Sequence, residues 1–318
     1  MKQLFRISEN ATLVETENHQ EVNWIHLVNP ELAEIETIAN HYQFPTDYLT
    51  TSLDLDEVSR SESINQKAID KPALVLLIVS EKTVDTNLDI LYTNSPISVI
   101  LLKDKIITSS KTNPNFINSI SANQFRFIKQ VNGIHDLLFE ISWQIVSQSV
   151  FASRDISQRM DQLYQRSRKS SESDLIYNLA DLDRSAVYLE HACEANDLVL
   201  NDLFDTEFIQ TIKRYKDWMN DIVIENHQAK LMIKQTRQIL QQLDTTFSSI
   251  IQNNLNQTMK ILTSLTIIIT IPSIIGSLWG MNVKLPGTDH PLAFSIIIGL
   301  TLLIMVFVVI WLKRKDLL

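Results

Sequence analysis

Thr266, Thr270, Ser273 and Ser277 recur at intervals of four, three and four residues within 261–279, a stretch with no charged side chain. At 3.6 residues per turn the four hydroxyls form one stripe along a helix, and the stripe continues backward through Leu262, Met259 and Asn256. Just past its other end stand Gly280 and Asn282, a residue without side-chain bulk and a neutral amide. Backbone carbonyls at Gly280 and the Asn282 amide oxygen are neutral ligands for a cation that keeps its water. Hard divalent ions such as Mg2+ dehydrate reluctantly, so a neutral oxygen ring suits them better than a tight carboxylate cage. The same residues have a plainer reading. Hydroxyls in apolar helices often bond their own backbone or a neighbouring helix, and a glycine and an asparagine after a helix make an ordinary stop.

Positioning these oxygens is the task of two apolar runs. Residues 261–279 and 292–312 are both uncharged. About 20 apolar residues cross a hydrocarbon core of about 30 Å, so each run reads as a transmembrane helix. The second is almost purely aliphatic, interrupted by Ser295, Gly299 and Thr301. Lys260 precedes the first run and Lys313, Arg314 and Lys315 follow the second, which places both termini in the cytoplasm and the 280–291 loop outside. The first 30 residues show no basic start followed by an apolar stretch, so a cytoplasmic N-terminal part is expected. The lack of Asp, Glu, Lys, Arg and His inside either span argues against a proton relay or a charge-pairing carrier. Two spans cannot enclose a path, so any transport requires self-association.

The rest of the chain narrows the classes further. Residues 1–260 hold 24 Lys and Arg against 35 Asp and Glu, a balance that disfavours nucleic acid and anionic lipid headgroups and is compatible with cations. Cys193 is the sole cysteine, and Gly133 is the one glycine before Gly276, so neither a disulfide nor a glycine-rich phosphate loop is available. No enzyme and no organic cofactor are expected. "EHACE" (190–194) mimics a zinc site but lacks a second Cys or His at ligand spacing, and reads as a helix surface.

Five of the eight prolines precede residue 115, among β-rich runs at 23–29, 72–80, 88–94, 97–104 and 105–110. Residues 29–43 read as a helix with Asn29 as N-cap, Pro30 at its first position, and Leu32, Ile35, Ile38 and Ala39 on one face. Between Pro114 and Pro272 there is no proline, so this stretch should be nearly all helix. From Ile212 through Tyr215, Met219, Ile222, Asn226, Ala229, Ile233, Thr236, Leu240, Leu243, Phe247 and Ile250 the steps alternate three and four, a heptad seam. One helix is expected from about residue 208 to 279. The organisation is then a cytoplasmic α/β domain (1–114), a helical pair (115–207) with polar breaks near 167–174 and 201–207, and a stalk helix (208–260). The first span (261–279), the loop (280–291), the second span (292–312) and a basic tail (313–318) follow.

"GMN" at 280–282, closing the first of two C-terminal spans, resembles the CorA magnesium-channel family. The resemblance covers nearly the whole chain, including "NPELAEIETIANHYQFPTDYLTTSLDLDE" (29–57) and "NQTMKILT" (256–263). It implies a funnel-like homopentamer in the cytoplasmic membrane, gated by cytoplasmic Mg2+, for which Mg2+ is both cargo and regulator, with Co2+ or Ni2+ as further cargo. By similarity, Gly280, Met281 and Asn282 form the selectivity ring. Asn256, Met259, Leu262, Thr266, Thr270 and Ser273 line the pore, with Met259 and Leu262 as its hydrophobic constriction. Asp221, facing Asp85 and Asp89 of a neighbouring subunit, matches the regulatory cation site. The chain departs from the family pattern at Trp279, where tyrosine is usual, and in a loop reading "VKLPGTDHP" without glutamate. The alternatives are a zinc transporter of the related ZntB type and a membrane-anchored coiled-coil scaffold without transport.

Overall fold

The computed structural model describes residues 1–18, 20–64, 71–85, 88–167, 174–281 and 292–315, in two compact units, Met1–Asp244 and Thr245–Leu318. The first unit is built on a seven-stranded mixed sheet of β1 (Lys2–Ile7), β2 (Leu13–Glu15), β3 (Trp24–Val28), β4 (Arg60–Glu62), β5 (Ala73–Asp85), β6 (Leu88–Leu101) and β7 (Ile106–Ser110). Their order is β2-β1-β3-β7-β6-β5-β4, and only β3 and β7 run parallel.

Helices cover both faces. On one, α1 (Leu32–Tyr42), α2 (Asp47–Thr50) and a 3-10 turn (Thr51–Leu53) pack Ile35, Ile38 and Leu49 on Leu74, Leu76, Ile100 and Ile107. On the other, α3 (Asn115–Ser121), α4 (Ile134–Ser167) and α5 (Asp174–Phe204) cover Val75, Leu77, Val99 and Leu101. Alternate strand residues thus enter different cores, which is why these strands read as continuous apolar runs. The short α6 (Glu207–Thr211) leads into α7 (Lys213–Trp279), whose last part forms the second unit with α8 (Ala293–Arg314).

Several details differ from the sequence expectation. The runs at 88–94 and 97–104 form one strand. Pro96 lies opposite Ile78, and pairing with β7 begins only at Ile97, so the proline has one strand neighbour and leaves the ladder intact. Asn29 is no helix cap: it adopts a left-handed φ of 47° and donates its amide to the Ser110 carbonyl at 2.9 Å, extending the β3–β7 ladder. The cap is Glu31, without a side-chain bond, and Leu32 is 70% exposed rather than on the buried face. The long helix begins at Lys213, because Ile209 is buried and Ile212 adopts an extended backbone between α6 and α7. Of the polar break near 167–174, residues 168–173 lie outside the described residues.

Two buried acids in the first turns of α4 hold the approach to α7. Glu140, fully buried, accepts the amides of Arg126, Phe127 and Ile128 at 2.9 to 3.1 Å and the Gln144 side chain at 2.7 Å. Asp136, 1% exposed, accepts the Asn132 amide at 2.9 Å and pairs with Arg214 at 3.2 Å. The Arg214 guanidinium also lies 4.7 Å from the Trp218 ring centre, and Trp218 meets Phe127 and Phe139 edge-on.

Replacing Glu140 by Ala leaves three backbone donors without their acceptor, that of Ile128 in the core. The apparent stability of the full chain in detergent should fall by about 3 kcal/mol or more, read by thermal unfolding. His26 gives a pH dependence. Burial pushes its imidazole down from 6.5 to about 4, against the raising effect of its Asn113 hydrogen bond. Between these values the unfolded chain binds the extra proton. Stability is therefore full above about pH 6.5 and falls by about 3 kcal/mol as the pH drops to about 4. The difference in unfolding temperature between wild type and His26→Gln, followed from pH 7 to pH 4.5, isolates this contribution from the carboxylates.

Candidate ion pathway

From Met219 to Phe247 every position of the heptad seam in α7 is buried, Asn226 and Thr236 included, whereas Ile212 and Ile250 are 44% and 43% exposed. Beyond it the helix surface is apolar and exposed. Leu265, Ile267, Ile269 and Ile274, on several sides of the helix, are all more than 40% exposed. A water-facing helix would not carry them, whereas a lipid-facing or subunit-facing one does.

Asn256, Met259, Leu262, Thr266, Thr270 and Ser273 are all exposed on α7. At about 100° per residue they lie on one side of the helix. The residues partly covered in the same stretch are Ile268, Ile271, Pro272 and Ile275, with Ser264 buried, and these lie roughly opposite. Pro272 and Ile275 face α8 across a groove. The polar stripe therefore points away from the second span.

Three of the stripe's four hydroxyls donate to the carbonyl four residues earlier. Thr266 bonds Leu262 at 2.8 Å, Thr270 bonds Thr266 at 2.7 Å and Ser273 bonds Ile269 at 3.1 Å. The plain reading of these hydroxyls therefore holds as far as their protons are concerned. It leaves the hydroxyl oxygens as acceptors on the exposed face, able to take a hydrogen bond from water. Met259 and Leu262, 59% and 55% exposed, put two large apolar side chains on the same line.

At the far end the Gly280 amide still bonds the Gly276 carbonyl at 3.0 Å, and its φ is not left-handed, so no left-handed cap forms there. Met281 is 54% exposed, and Asn282 lies outside the described residues together with the rest of the loop to residue 291.

Asp221 is exposed on α7, and among the described residues no hydrogen bond or ion pair engages it. Asp217, Asp221 and Glu225 follow at four-residue intervals, an acidic line that sequence reasoning reduced to Asp221 alone. Asp85 ends β5 and Asp89 lies near the start of β6, at the turn of that hairpin, with side chains outside the described residues. Among the described residues no three His, Cys, Asp or Glu side chains gather as a metal ion would require. "EHACE" behaves as a packing face: Glu190 pairs with Arg237, and burial pushes the Cys193 thiol up to about 12.

Comparison with known proteins bears on all of this. The family model described as CorA-like Mg2+ transporter protein matches residues 19–314. "Magnesium transport protein CorA" of Campylobacter jejuni is 25% identical, over 96% of this chain and 94% of its own length. "Cobalt/magnesium transport protein CorA" of Methanocaldococcus jannaschii is 24% identical, over 91% and 89%. The complete structure of the latter organism's CorA magnesium transporter superposes with a TM-score of 0.79 at 20% identity, covering 99% of this chain and 98% of that one. The shared architecture is an N-terminal α/β part, a long helix and two C-terminal apolar helices. The match of the family model over almost the entire chain makes this protein a member of the CorA-like Mg2+ transporter family.

Proposed function

We propose that copies of this chain, five by family resemblance, assemble in the cytoplasmic membrane around the stripe of α7 and conduct hydrated Mg2+ passively into the cell. The observation that carries the reading is the stripe's orientation. The neutral oxygens and the Met259–Leu262 pair share the face of the first span that turns away from the second. A ring of such faces encloses a path wetted by hydroxyl oxygens and narrowed by an apolar collar, which gates by dewetting. Gly280, Met281 and Asn282 form the outer ring, where neutral oxygens hold the ion through its water. Both termini lie in the cytoplasm, and Lys313 and Arg314 at the end of α8 anchor that side.

The driving force needs no organic cofactor. A dication gains about 4.6 kcal/mol per 100 mV of inside-negative potential, twice the value for a single charge. Regulation falls to the first unit. Cytoplasmic Mg2+ bridges Asp221 to Asp89 and Asp85 of the neighbouring subunit and holds the closed state, relieving the repulsion along the Asp217–Asp221–Glu225 line.

The test is Mg2+ influx into proteoliposomes under an inside-negative potential, with Co2+ and Ni2+ as competitors. Asn282→Ala should lower influx at least about tenfold, the cost of one lost ion-water contact per subunit. High inside Mg2+ should close the wild type and leave Asp221→Ala conducting. Thr266→Val with Thr270→Val should reduce influx yet change thermal stability by no more than about 0.5 kcal/mol, because both hydroxyls bond only their own helix. Absence of flux in correctly inserted wild type would refute the channel.

A further inference from the structure

The two spans are packed unevenly along their length. Ser264 on α7 and Leu312 on α8 are 2% and 1% exposed. From Pro272 onward a groove of about 850 Å³ separates the helices, lined by Pro272, Gly276 and Gly280 on one side and by Ala293, Ile297 and Thr301 among those on the other. Pro272, Ile275 and Trp279 line the groove with the face roughly opposite the polar stripe, and Gly276 and Gly280 lie at its edge toward the stripe.

Pro272 stands where the groove begins. It has no N–H to give the Ile268 carbonyl, and its ring crowds that carbonyl, which opens a helix on the proline's own side and tips the later turns the other way. Here the proline's side is the groove, so a bend at this point tips residues 273–281 toward the stripe. A Cβ added at Gly276 would meet nothing within 4 Å, so there is open space directly beside this residue. Hydrocarbon chains that fill such a space can move aside, whereas a side chain anchored there cannot.

We propose that Pro272 and Gly276 set the width of the path at its Gly280 end. With the helix kinked, the groove is open and the end of the path is narrow. As the helix straightens, residues 273–281 swing into the groove and the path widens, a movement for which Pro272 is the hinge and Gly276 leaves the room. This rests on the reading that the stripe lines the path.

Two variants push in opposite directions. Gly276→Leu fills the groove and should lower Mg2+ uptake by full-length protein in proteoliposomes about tenfold, by blocking the swing. Pro272→Ala restores the missing backbone bond and should raise Ba2+ uptake relative to Mg2+ about tenfold, by leaving the path wide. The hinge is read independently of transport by placing cysteines at Ile275 and Ile298, on the two walls of the groove, in a Cys193→Ala background. Intrachain linking by short bifunctional reagents should increase with Pro272→Ala and decrease with Gly276→Leu. Unchanged linking in both variants overturns the hinge whatever the flux. Shifted linking with wild-type uptake in both overturns the assignment of path width to these residues. Shifted linking with no wild-type uptake keeps the hinge and removes only the pathway reading.

Discussion

The architecture of the first unit depends on one buried stripe of α7. An isolated helix of this composition has little to hold it in water, and most helical stability in proteins comes from packing one apolar face. Met219, Ile222, Ala229, Ile233 and Leu240 supply that face, with Asn226 fully buried among them. Its amide donates to the Cys193 carbonyl at 3.1 Å, which ties α7 to one position along α5, since a slip would leave that buried donor without its partner. Ion pairs of Lys230 with Asp197 and Arg237 with Glu190 flank it, and Ser153 of α4 reaches the Ala229 carbonyl. The sheet is drawn into the same arrangement. Asn196 of α5 exchanges hydrogen bonds with the backbone of Ile78 at 2.8 Å each way and accepts one from Ser59.

A different constraint governs the second unit. In hydrocarbon, every backbone amide and carbonyl must find a partner within the protein. Thr266, Thr270, Ser273 and Thr301 all turn their protons onto carbonyls of their own helices. At these four positions the helices carry oxygen without an unpaired donor. Pro272 is the one place where the ladder of α7 lacks a donor, and the groove opens there. The proposed hinge and the polar stripe are compatible in a 67-residue helix because Pro272 lies on the side away from the stripe.

Features that repeat were legible in the sequence, and features made by distant partners were not. The spans, the heptad from Met219 to Phe247 and the hydroxyl stripe each recur with the helical period, and periodicity survives in one dimension. Asn29 failed as a cap because its amide serves Ser110, a strand partner remote in sequence. The runs at 88–94 and 97–104 read as two strands because nothing local says that β7 stops short of Pro96, between them. Glu140 resembles any other acid of a helix until the loop at 126–128 folds back onto its carboxylate. The acidic line beside Asp221 was countable, yet its single neighbours look like an ordinary solvated face. Whether the proposed ring and collar act as such depends on several copies meeting, a relation that periodicity within one chain does not encode.

The distribution of charge reflects the energetics of moving a dication. Removing its inner water shell within a low-dielectric layer costs far more than the few kcal/mol a membrane potential supplies, so a path without fixed charges works only if the ion stays hydrated. A carboxylate inside the span would bind the ion tightly and slow its release, because conduction needs sites weak enough to leave. The spans accordingly hold hydroxyls and no acids, while 35 of the 37 acidic residues lie in 1–260. There a solvated carboxylate can bind and release Mg2+ as its concentration changes. Sensing and conduction make opposite demands on affinity, and the proposed function assigns them to separate parts of the chain.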